Sequence, residues 1–173
     1  MNTHNVMSPD TMLTDLVTEL LLGEADCLDD RRWRDWLDLY EEDAVFWAPS
    51  WHDDETLIDN PRGEISLIYC GSKERIEERV WRIESGMSSS LIRLPRTRHF
   101  ITNIRVRGAD VDEVTATANY QVNTYKLEEQ RTDMFFGQYR YRLARSGNGL
   151  KIREKYIVVC NDLIPRQMDL FNV

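Results

Sequence analysis

The sequence is poor in the residues that most often hold metals or cross-link small folds. It has three cysteines and three histidines in 173 residues. The cysteines are odd in number and far apart, which fits reduced thiols better than a disulfide framework. His4 lies in a polar N-terminal stretch, so only His52 and His99 could join a mononuclear iron site. No Cys-x-His or Cys-x-x-His pair occurs, which argues against a Rieske cluster on this chain.

Long apolar runs and an excess of positive charge are also missing. The best apolar stretch, MLTDLVTELLL, is interrupted by Asp15 and Glu19, whereas a bilayer span needs about 20 apolar residues. No basic region followed by an apolar stretch indicates a signal peptide. The formal net charge is −8, which disfavours binding to nucleic acid. We therefore expect a cytoplasmic protein that binds neither membranes nor nucleic acid.

Helical patterns dominate the first half of the chain. The composition is 42% hydrophobic, and the length favours a single domain over residues 9–173 after a mobile tail at 1–8. A leucine-rich stripe predicts a helix over 9–28 that begins after Ser8. Four large side chains at i, i+3, i+4 and i+7 predict a second helix over 31–40; they are Trp33, Trp36, Leu37 and Tyr40. A third helix is predicted after Gly71-Ser72.

Strand patterns dominate the second half. Short strands are predicted over 43–48 and 64–70, on either side of an acidic loop, and 85–95 is expected to be a flexible connection. After Pro95 the period changes to two, and four long strands follow. Phe100, Ile104 and Val106 are expected to share one face of the first. Ser146-Gly147-Asn148-Gly149 predicts a hairpin before the last strand, and a short tail follows Pro165.

The order of these elements predicts an α+β fold. Helices followed by an antiparallel meander favour a helical layer on one face of a long curved sheet. Such a sheet, closed over by helices, forms a cone with an internal cavity. This cavity is the natural place for a small-molecule site.

One hypothesis places acid–base chemistry in that cavity. Glu154 is in register with Ile152 and Tyr156, so we expect it on the apolar face of the last strand. With His99 and Tyr40 it could serve a stand-alone isomerase or dehydratase, or line a small-molecule binding site. The alternative, which we favour, is that Glu154 pairs with an arginine and His99 makes a structural hydrogen bond. No second acid or nucleophile is placed beside them by the sequence.

Exposed aromatic and charged residues are candidates for subunit contacts. Aromatic side chains are enriched in interface cores, and charged ones set the choice of partner. The acidic loop after the first strand lacks the regular spacing and glycine of a calcium loop. The interface candidates are Trp47, Trp51, Asp53, Asp54, Arg96, Arg98, Arg140 and Arg142.

Three segments carry a resemblance to a known family. They are DAVFWAPSWHDDETLIDNPRGEISLIY, ERVWRI and PRTRHFITNI. Together they resemble the small (beta) subunit of bacterial aromatic-ring-hydroxylating dioxygenases, in the benzoate, toluate and anthranilate branch. The resemblance extends over 13–163. This sequence departs from similar family members at two positions. They carry an acid at the position of His52, and Asp at the position of Asn60, just before the loop proline. The resemblance implies a cystatin-like cone, the fold of ketosteroid isomerase, scytalone dehydratase and nuclear transport factors.

The resemblance also implies a structural role. Such beta subunits assemble with a large alpha subunit that carries the Rieske [2Fe-2S] cluster and the mononuclear Fe(II), usually as three of each. NADH electrons would reach the alpha subunit through a reductase. The complex would add O2 to an aromatic carboxylate such as benzoate or anthranilate, in aromatic catabolism. The resemblance implies no cofactor and no catalytic residue on this chain.

Overall fold

A computed structural model describes residues 9–86 and 93–173. The predicted tail at 1–8, including the expected cap at Ser8, and most of the predicted connection over 85–95 lie outside these residues. The described helices are α1 (Pro9–Asp29), α2 (Trp33–Asp38), α3 (Lys73–Ser85) and a 3-10 helix (Leu170–Asn172). The described strands are β1 (Tyr40–Ala48), β2 (Ile68–Cys70), β3 (Arg96–Ala109), β4 (Glu113–Lys126), β5 (Arg131–Ser146) and β6 (Gly149–Val159).

The strands form one sheet in the order β2-β1-β6-β5-β4-β3. Strands β3 to β6 make the predicted antiparallel meander. Helix α1 packs against β3 and β6, and α3 packs against β1, so one face of the sheet is covered by helices. The α+β class is therefore confirmed. The parallel pairing of β1 with β6 was not predicted, because it depends on contacts far apart in sequence.

The core lies between the helices and the inner face of the sheet. Helix α1 buries Val17, Leu21 and Leu28, which share one side of the helix. The inner face of β4 is buried as predicted, at Val114, Ala116, Ala118, Tyr120 and Val122. In the described ranges, no helix has the length and apolarity needed to cross a membrane.

The second helix is shorter than predicted. Trp33, Trp36, Leu37 and Tyr40 are all buried, as their spacing predicts. However, α2 ends at Asp38, and Tyr40 already belongs to β1. The backbone N–H of Ile152 donates to the Leu39 carbonyl at 2.8 Å, so pairing with β6 ends the helix two residues early.

The second strand is also shorter than predicted. We expected strand over 64–70, but only Ile68–Cys70 pairs with β1. The side chain of Asn60 accepts hydrogen bonds from the backbone N–H groups of Arg62 and Gly63, both at 3.2 Å. An asparagine that bonds its own following backbone forms a turn, and this turn occupies the start of the predicted strand.

A bulge in β3 changes which of its side chains face the core. Asn103 has a left-handed backbone, with φ 53°, and the pairing register shifts between Thr102 and Arg105. A bulge of this kind inserts one residue and exchanges the faces. Phe100 is consequently 52% exposed and faces outward, so the prediction that it shares a face with Ile104 and Val106 is wrong.

A second bulge lies in β6. Arg142 pairs with Glu154 and Leu143 with Ile152, so Arg153 is an extra residue. Beyond it the inward positions are Lys155, Ile157 and Val159, all buried. The expected placement of Glu154 on the apolar face is therefore wrong, because a one-residue slip exchanges the two faces of a strand.

The predicted C-terminal tail is an ordered part of the core. Leu170, Phe171 and Val173 are buried. The Asp169 side chain accepts from the backbone N–H of Leu170 at 2.9 Å and so begins the 3-10 helix. Arg79 of α3 forms an ion pair with Asp169 at 3.4 Å. The apolar side chains after Pro165 explain why this segment packs against the domain.

Candidate functional site

The most unusual inner feature is a buried carboxylate with four donors. Glu24 of α1 is 2% exposed. Its Oε1 accepts from Tyr40 Oη at 2.6 Å, Lys155 Nζ at 3.0 Å and Trp36 Nε1 at 3.3 Å. Its Oε2 accepts from Tyr141 Oη at 2.7 Å. These contacts join α1, α2, β1, β5 and β6 at one point, which we call the Glu24 cluster.

Electrostatics favour an ionised Glu24. Burial raises the pKa of Glu24, but the Lys155 ammonium and the hydrogen bonds from Tyr40 and Tyr141 outweigh burial, so its pKa lies below the ordinary value. Burial raises the pKa values of Tyr40 and Tyr141 well above normal. Both tyrosines therefore remain neutral donors, and the cluster is a buried ion pair with its hydrogen bonds satisfied.

Lys155 is enclosed by aromatic rings. It is 1% exposed, and its Nζ lies 4.1 Å from the ring centre of Tyr139 and 5.6 Å from that of Phe46. A cation held over ring faces gains a further attraction when it is removed from water. Burial nevertheless lowers the pKa of Lys155, against the effect of Glu24. The lysine thus depends on Glu24 to remain charged in the core.

A second inner pair links α1 to β3. His99 Nδ1 lies 2.7 Å from Asp29 Oδ1, and the backbone N–H of His99 donates to Asp29 Oδ2 at 2.9 Å. Burial raises the pKa of Asp29, but the hydrogen bonds from His99 lower it below its ordinary value. His99 therefore makes the structural hydrogen bond that we favoured, and it ties the end of α1 to the edge strand.

The outer face of the sheet carries the predicted arginines. Arg142 bonds Glu113 Oε2 at 2.9 Å and Glu154 Oε2 at 3.3 Å. Arg140 lies over the Tyr156 ring at 5.4 Å, and Trp47 meets the same ring edge-on at 5.1 Å. Trp47, Arg140 and Arg142 thus lie on one continuous surface. Glu154 pairs with an arginine there, as the favoured alternative predicts.

The hypothetical catalytic set is not brought together. Tyr40 is committed to Glu24 inside the core, and His99 is committed to Asp29. Glu154 lies on the opposite face of the sheet from both, where it pairs with Arg142. The geometry therefore gives Glu154 no place in an acid–base site with the other two. In the described part of the chain, no group of three His, Cys, Asp or Glu side chains could hold a metal ion.

An acidic patch lies beyond the ends of β1 and β6. Its groove is lined by Trp51, Asp53, Asp54, Cys160, Asn161 and Asp162. Trp51 is 39% exposed, although its Nε1 donates to the Val159 carbonyl at 2.8 Å. Asp53 accepts from the backbone N–H groups of Glu55 and Thr56, at 2.9 and 2.7 Å. The acidic patch therefore combines a fixed aromatic ring with several carboxylates.

A basic patch lies at the start of β3. Its groove is lined by three arginines and two acids, with the rings of Phe100 and Tyr125 beside them; the charged residues are Arg31, Arg96, Arg98, Asp29 and Asp30. Arg98 pairs loosely with Asp29, at 3.6 Å, and Phe100 is turned outward by the bulge. The edge strand β3 has no further strand beside it in the described sheet. The basic patch therefore lies at one side of the sheet, with arginines and an aromatic ring exposed.

Sequence reasoning missed the Glu24 cluster, although a signal for its acid was present. Glu24 lies on the same side of α1 as Val17, Leu21 and Leu28, at i+7 from the first of these. An acid in an apolar stripe is a candidate for burial with a partner. The sequence did not indicate burial of Lys155. Regular alternation places it on the outer face, and only the bulge at Arg153 turns it inward.

The fold and these surfaces define a structural class. They are those of an α+β cone that buries the Glu24–Lys155 ion pair in its core and exposes charged and aromatic patches. Charged and aromatic patches of this kind are candidates for contacts with other chains.

Comparison with known proteins assigns the chain to a family within that class. Residues 23–166 match the model of the ring hydroxylating beta subunit family. The benzoate 1,2-dioxygenase subunit beta of Acinetobacter baylyi is 37% identical over 164 residues, which are 95% of this chain and 96% of that protein. The chain belongs to the ring hydroxylating beta subunit family, and the predicted resemblance is confirmed.

Solved structures agree with this assignment. The beta subunit of the Burkholderia mallei benzoate 1,2-dioxygenase is 36% identical, with a TM-score of 0.75, and the alignment covers 91% of this chain and 95% of that one. A Novosphingobium aromaticivorans protein provisionally assigned as a scytalone dehydratase shares 12% identity and a TM-score of 0.69, with 93% and 95% coverage. The latter shows the fold alone, and the predicted cystatin-like cone is confirmed.

Proposed function

We propose that this chain is the structural small subunit of a dioxygenase that acts on an aromatic carboxylate of the benzoate or anthranilate type. The observation that carries the proposal is the 37% identity to a benzoate 1,2-dioxygenase subunit along nearly the whole of both chains. The interior supports it, because the inner polar groups of Glu24 and Asp29 are engaged in internal bonds. The stand-alone isomerase or dehydratase is disfavoured by the outward position of Glu154.

The partner in this proposal is a large subunit that holds the redox centres. That subunit would carry the Rieske [2Fe-2S] cluster and the mononuclear Fe(II), and would receive NADH electrons through a reductase in the cytoplasm. The complex would contain three large and three small subunits. The role of this chain is to position its partners. The outer-face surface formed by half-buried Trp47 and exposed Arg140 and Arg142 is a candidate contact for the large subunit, because it joins aromatic area to paired charges.

The two charged patches suggest how small subunits contact one another. Strands β1 and β6 end beside the acidic patch, whereas β3 begins, and β4 ends, beside the basic patch. Both patches therefore lie at the same end of the sheet, on opposite sides of it. A contact between unlike patches on successive copies is head-to-tail, and a closed head-to-tail contact generates a ring. This arrangement is consistent with a ring of three small subunits.

Charge reversal tests the patch contact. Asp54→Arg in the acidic patch, or Arg96→Asp in the basic patch, should weaken self-association of the purified chain about tenfold, since like charges then face each other. These positions avoid the internal bonds of Asp53 and Arg98. The double variant reverses both patches and should restore association. Sedimentation velocity measures the effect, and unchanged association in both single variants would contradict the proposed contact.

Affinity purification of the tagged chain from its native host tests the function itself. We expect a brown, iron-containing complex with a larger subunit whose sequence carries the paired Cys and His ligands of a Rieske cluster. A tagged variant that is unfolded in circular dichroism serves as the control for nonspecific capture. Recovery of the folded chain alone, colourless and free of iron, would count against the proposed partner.

A further inference from the structure

Three buried polar atoms on the inner face have no hydrogen-bond partner among the described residues. They are His99 Nε2, Tyr120 Oη and Tyr139 Oη. Their side chains come from three neighbouring strands, β3, β4 and β5. Buried polar groups are nearly always bonded to protein, to ordered water or to a ligand. Three such atoms in one region of a core therefore point to a bound molecule.

The strand register places Tyr120 between the other two side chains. Tyr120 lies opposite Ile101, and His99 lies opposite Val122, two residues along β4. Tyr139 lies opposite Ala118 on the other side of β4. His99 and Tyr139 are thus both diagonal neighbours of Tyr120, a distance that long side chains bridge. The Tyr120 and Tyr139 rings are stacked, 4.1 Å apart and 3° from parallel, and both side chains are buried on the inner face of the sheet.

Helix α1 covers this region. Asp29, at its end, holds His99 through the ring nitrogen opposite Nε2. Burial is the main cause of the raised pKa of Tyr139, and the charges of Glu24 and Asp29 add to it. Those two acids lie five residues apart in the helix, about 7.5 Å along its axis. Lys155 Nζ lies 4.1 Å from the Tyr139 ring centre and bonds Glu24 of α1, so the Tyr139 ring lies beneath the same helix whose end holds His99.

The protonation states define what the atoms can bond. His99 Nδ1 is engaged with the Asp29 carboxylate, which leaves Nε2 for a second bond; a ring nitrogen there accepts from a hydroxyl when it carries no proton and donates to it when it does. Burial raises the pKa of Tyr120 as well as that of Tyr139, so both hydroxyls stay protonated and can donate. A molecule that donates one hydrogen bond and accepts one or two would satisfy the group. A hydroxyl group does this without introducing charge into the core.

We propose that His99, Tyr120 and Tyr139 form an internal binding site for one uncharged hydroxyl group, supplied by a water molecule or by a phenol. The parallel tyrosine rings give the site an aromatic wall, and the end of α1 closes it. The site does not depend on the large subunit, so its test is independent of the proposed function.

Removal of single hydroxyls tests the site. Tyr120→Phe and Tyr139→Phe should each reduce the folding equilibrium constant about five- to tenfold, because each removes a bond to the bound molecule. Tyr141→Phe is the matched control, since its hydroxyl has a known partner in Glu24 and must also destabilise. Urea unfolding followed by fluorescence measures all three. If the first two substitutions leave the constant unchanged or raise it while Tyr141→Phe lowers it, the proposal is overturned.

Two measurements on the folded wild-type chain distinguish the sources. Bound water gives cross-relaxation between the water resonance and the ring protons of His99 in NMR, and added phenol then leaves Tm unchanged. A phenol site gives a Tm that rises with millimolar phenol in wild type but not in Tyr139→Phe. Either result supports the site. Absence of both signals overturns it, whatever the stabilities of the variants.

Discussion

Glu24→Gln is expected to destabilise the folded chain by about 3–5 kcal/mol, the usual cost of breaking a buried ion pair from one side. Lys155 would then be a buried cation without its counter-charge, surrounded by Tyr139 and Phe46. Glutamine would keep the shape of the side chain, so packing changes little. Chemical denaturation of the purified chain gives the free energy of unfolding directly.

Two variants test whether the unpaired buried charge causes the loss of stability in Glu24→Gln. Glu154→Gln removes an acid from the outer face, where Arg142 keeps its bond to Glu113, and should cost less than about 1 kcal/mol. Glu24→Gln combined with Lys155→Met should recover most of the loss, since replacing a whole buried pair is often neutral. A double variant no more stable than Glu24→Gln alone would contradict the ion-pair explanation.

The same pair predicts a pH dependence. The pKa of folded Glu24 lies below its ordinary value of 4.5, so the unfolded chain binds the proton more readily. Glu24 therefore contributes stability that is present above about pH 4.5 and is lost as the pH falls through the folded pKa. The difference in stability between wild type and Glu24→Gln should shrink below that pH, which denaturation at several pH values would show.

Gly137→Ala should be the second severe substitution, with a loss of about 3 kcal/mol from overpacking. A Cβ at Gly137 would come within 1.9 Å of the Val158 carbonyl oxygen and 3.2 Å of the Cys160 backbone nitrogen. Both are backbone atoms of the β6 end, which cannot move aside as a side chain can. The measurement is the shift of the thermal or urea midpoint.

Gly23→Ala is the matched control for that substitution. Gly23 lies within α1, and nothing is within 4 Å of an added Cβ. Alanine there should stabilise the helix by about 0.5–1 kcal/mol. If both glycine substitutions changed stability equally, the close approach of β5 to β6 at Gly137 would not explain the loss of stability in Gly137→Ala.

The regular parts of this fold follow from local pattern, and the irregular parts do not. The alternation from Val114 to Val122 and the hairpin at Gly147 are determined by neighbours in sequence, so both were predicted. The bulges at Asn103 and Arg153 are each a single residue. Asparagine tolerates a left-handed backbone, but Asn119 and Asn123 lie in a regular strand, so Asn103 alone does not predict a bulge, and nothing local indicates one at Arg153. Each bulge nevertheless exchanges inner and outer faces beyond it.

The site was harder to predict for the same reason. The outward positions of Arg140 and Arg142 followed from a regular strand. Lys155 was hidden because it follows a bulge, and Glu24 finds its lysine 131 residues away. The role of the interface candidates stays a prediction, since the contacts expected of them would be with other chains. The division at residue 9 between tail and domain also stays a prediction.

The central claim is that this chain supports the catalysis of a larger partner and performs none itself. The most direct measurement is oxygen uptake with benzoate, NADH and the reductase, using the large subunit with and without this chain. We predict little uptake by either subunit alone, and benzoate-dependent uptake when the two are combined. Glu154→Gln should behave as wild type in that assay. Two results would contradict the account. The large subunit could turn over benzoate equally well with and without this chain, or this chain could turn over benzoate alone.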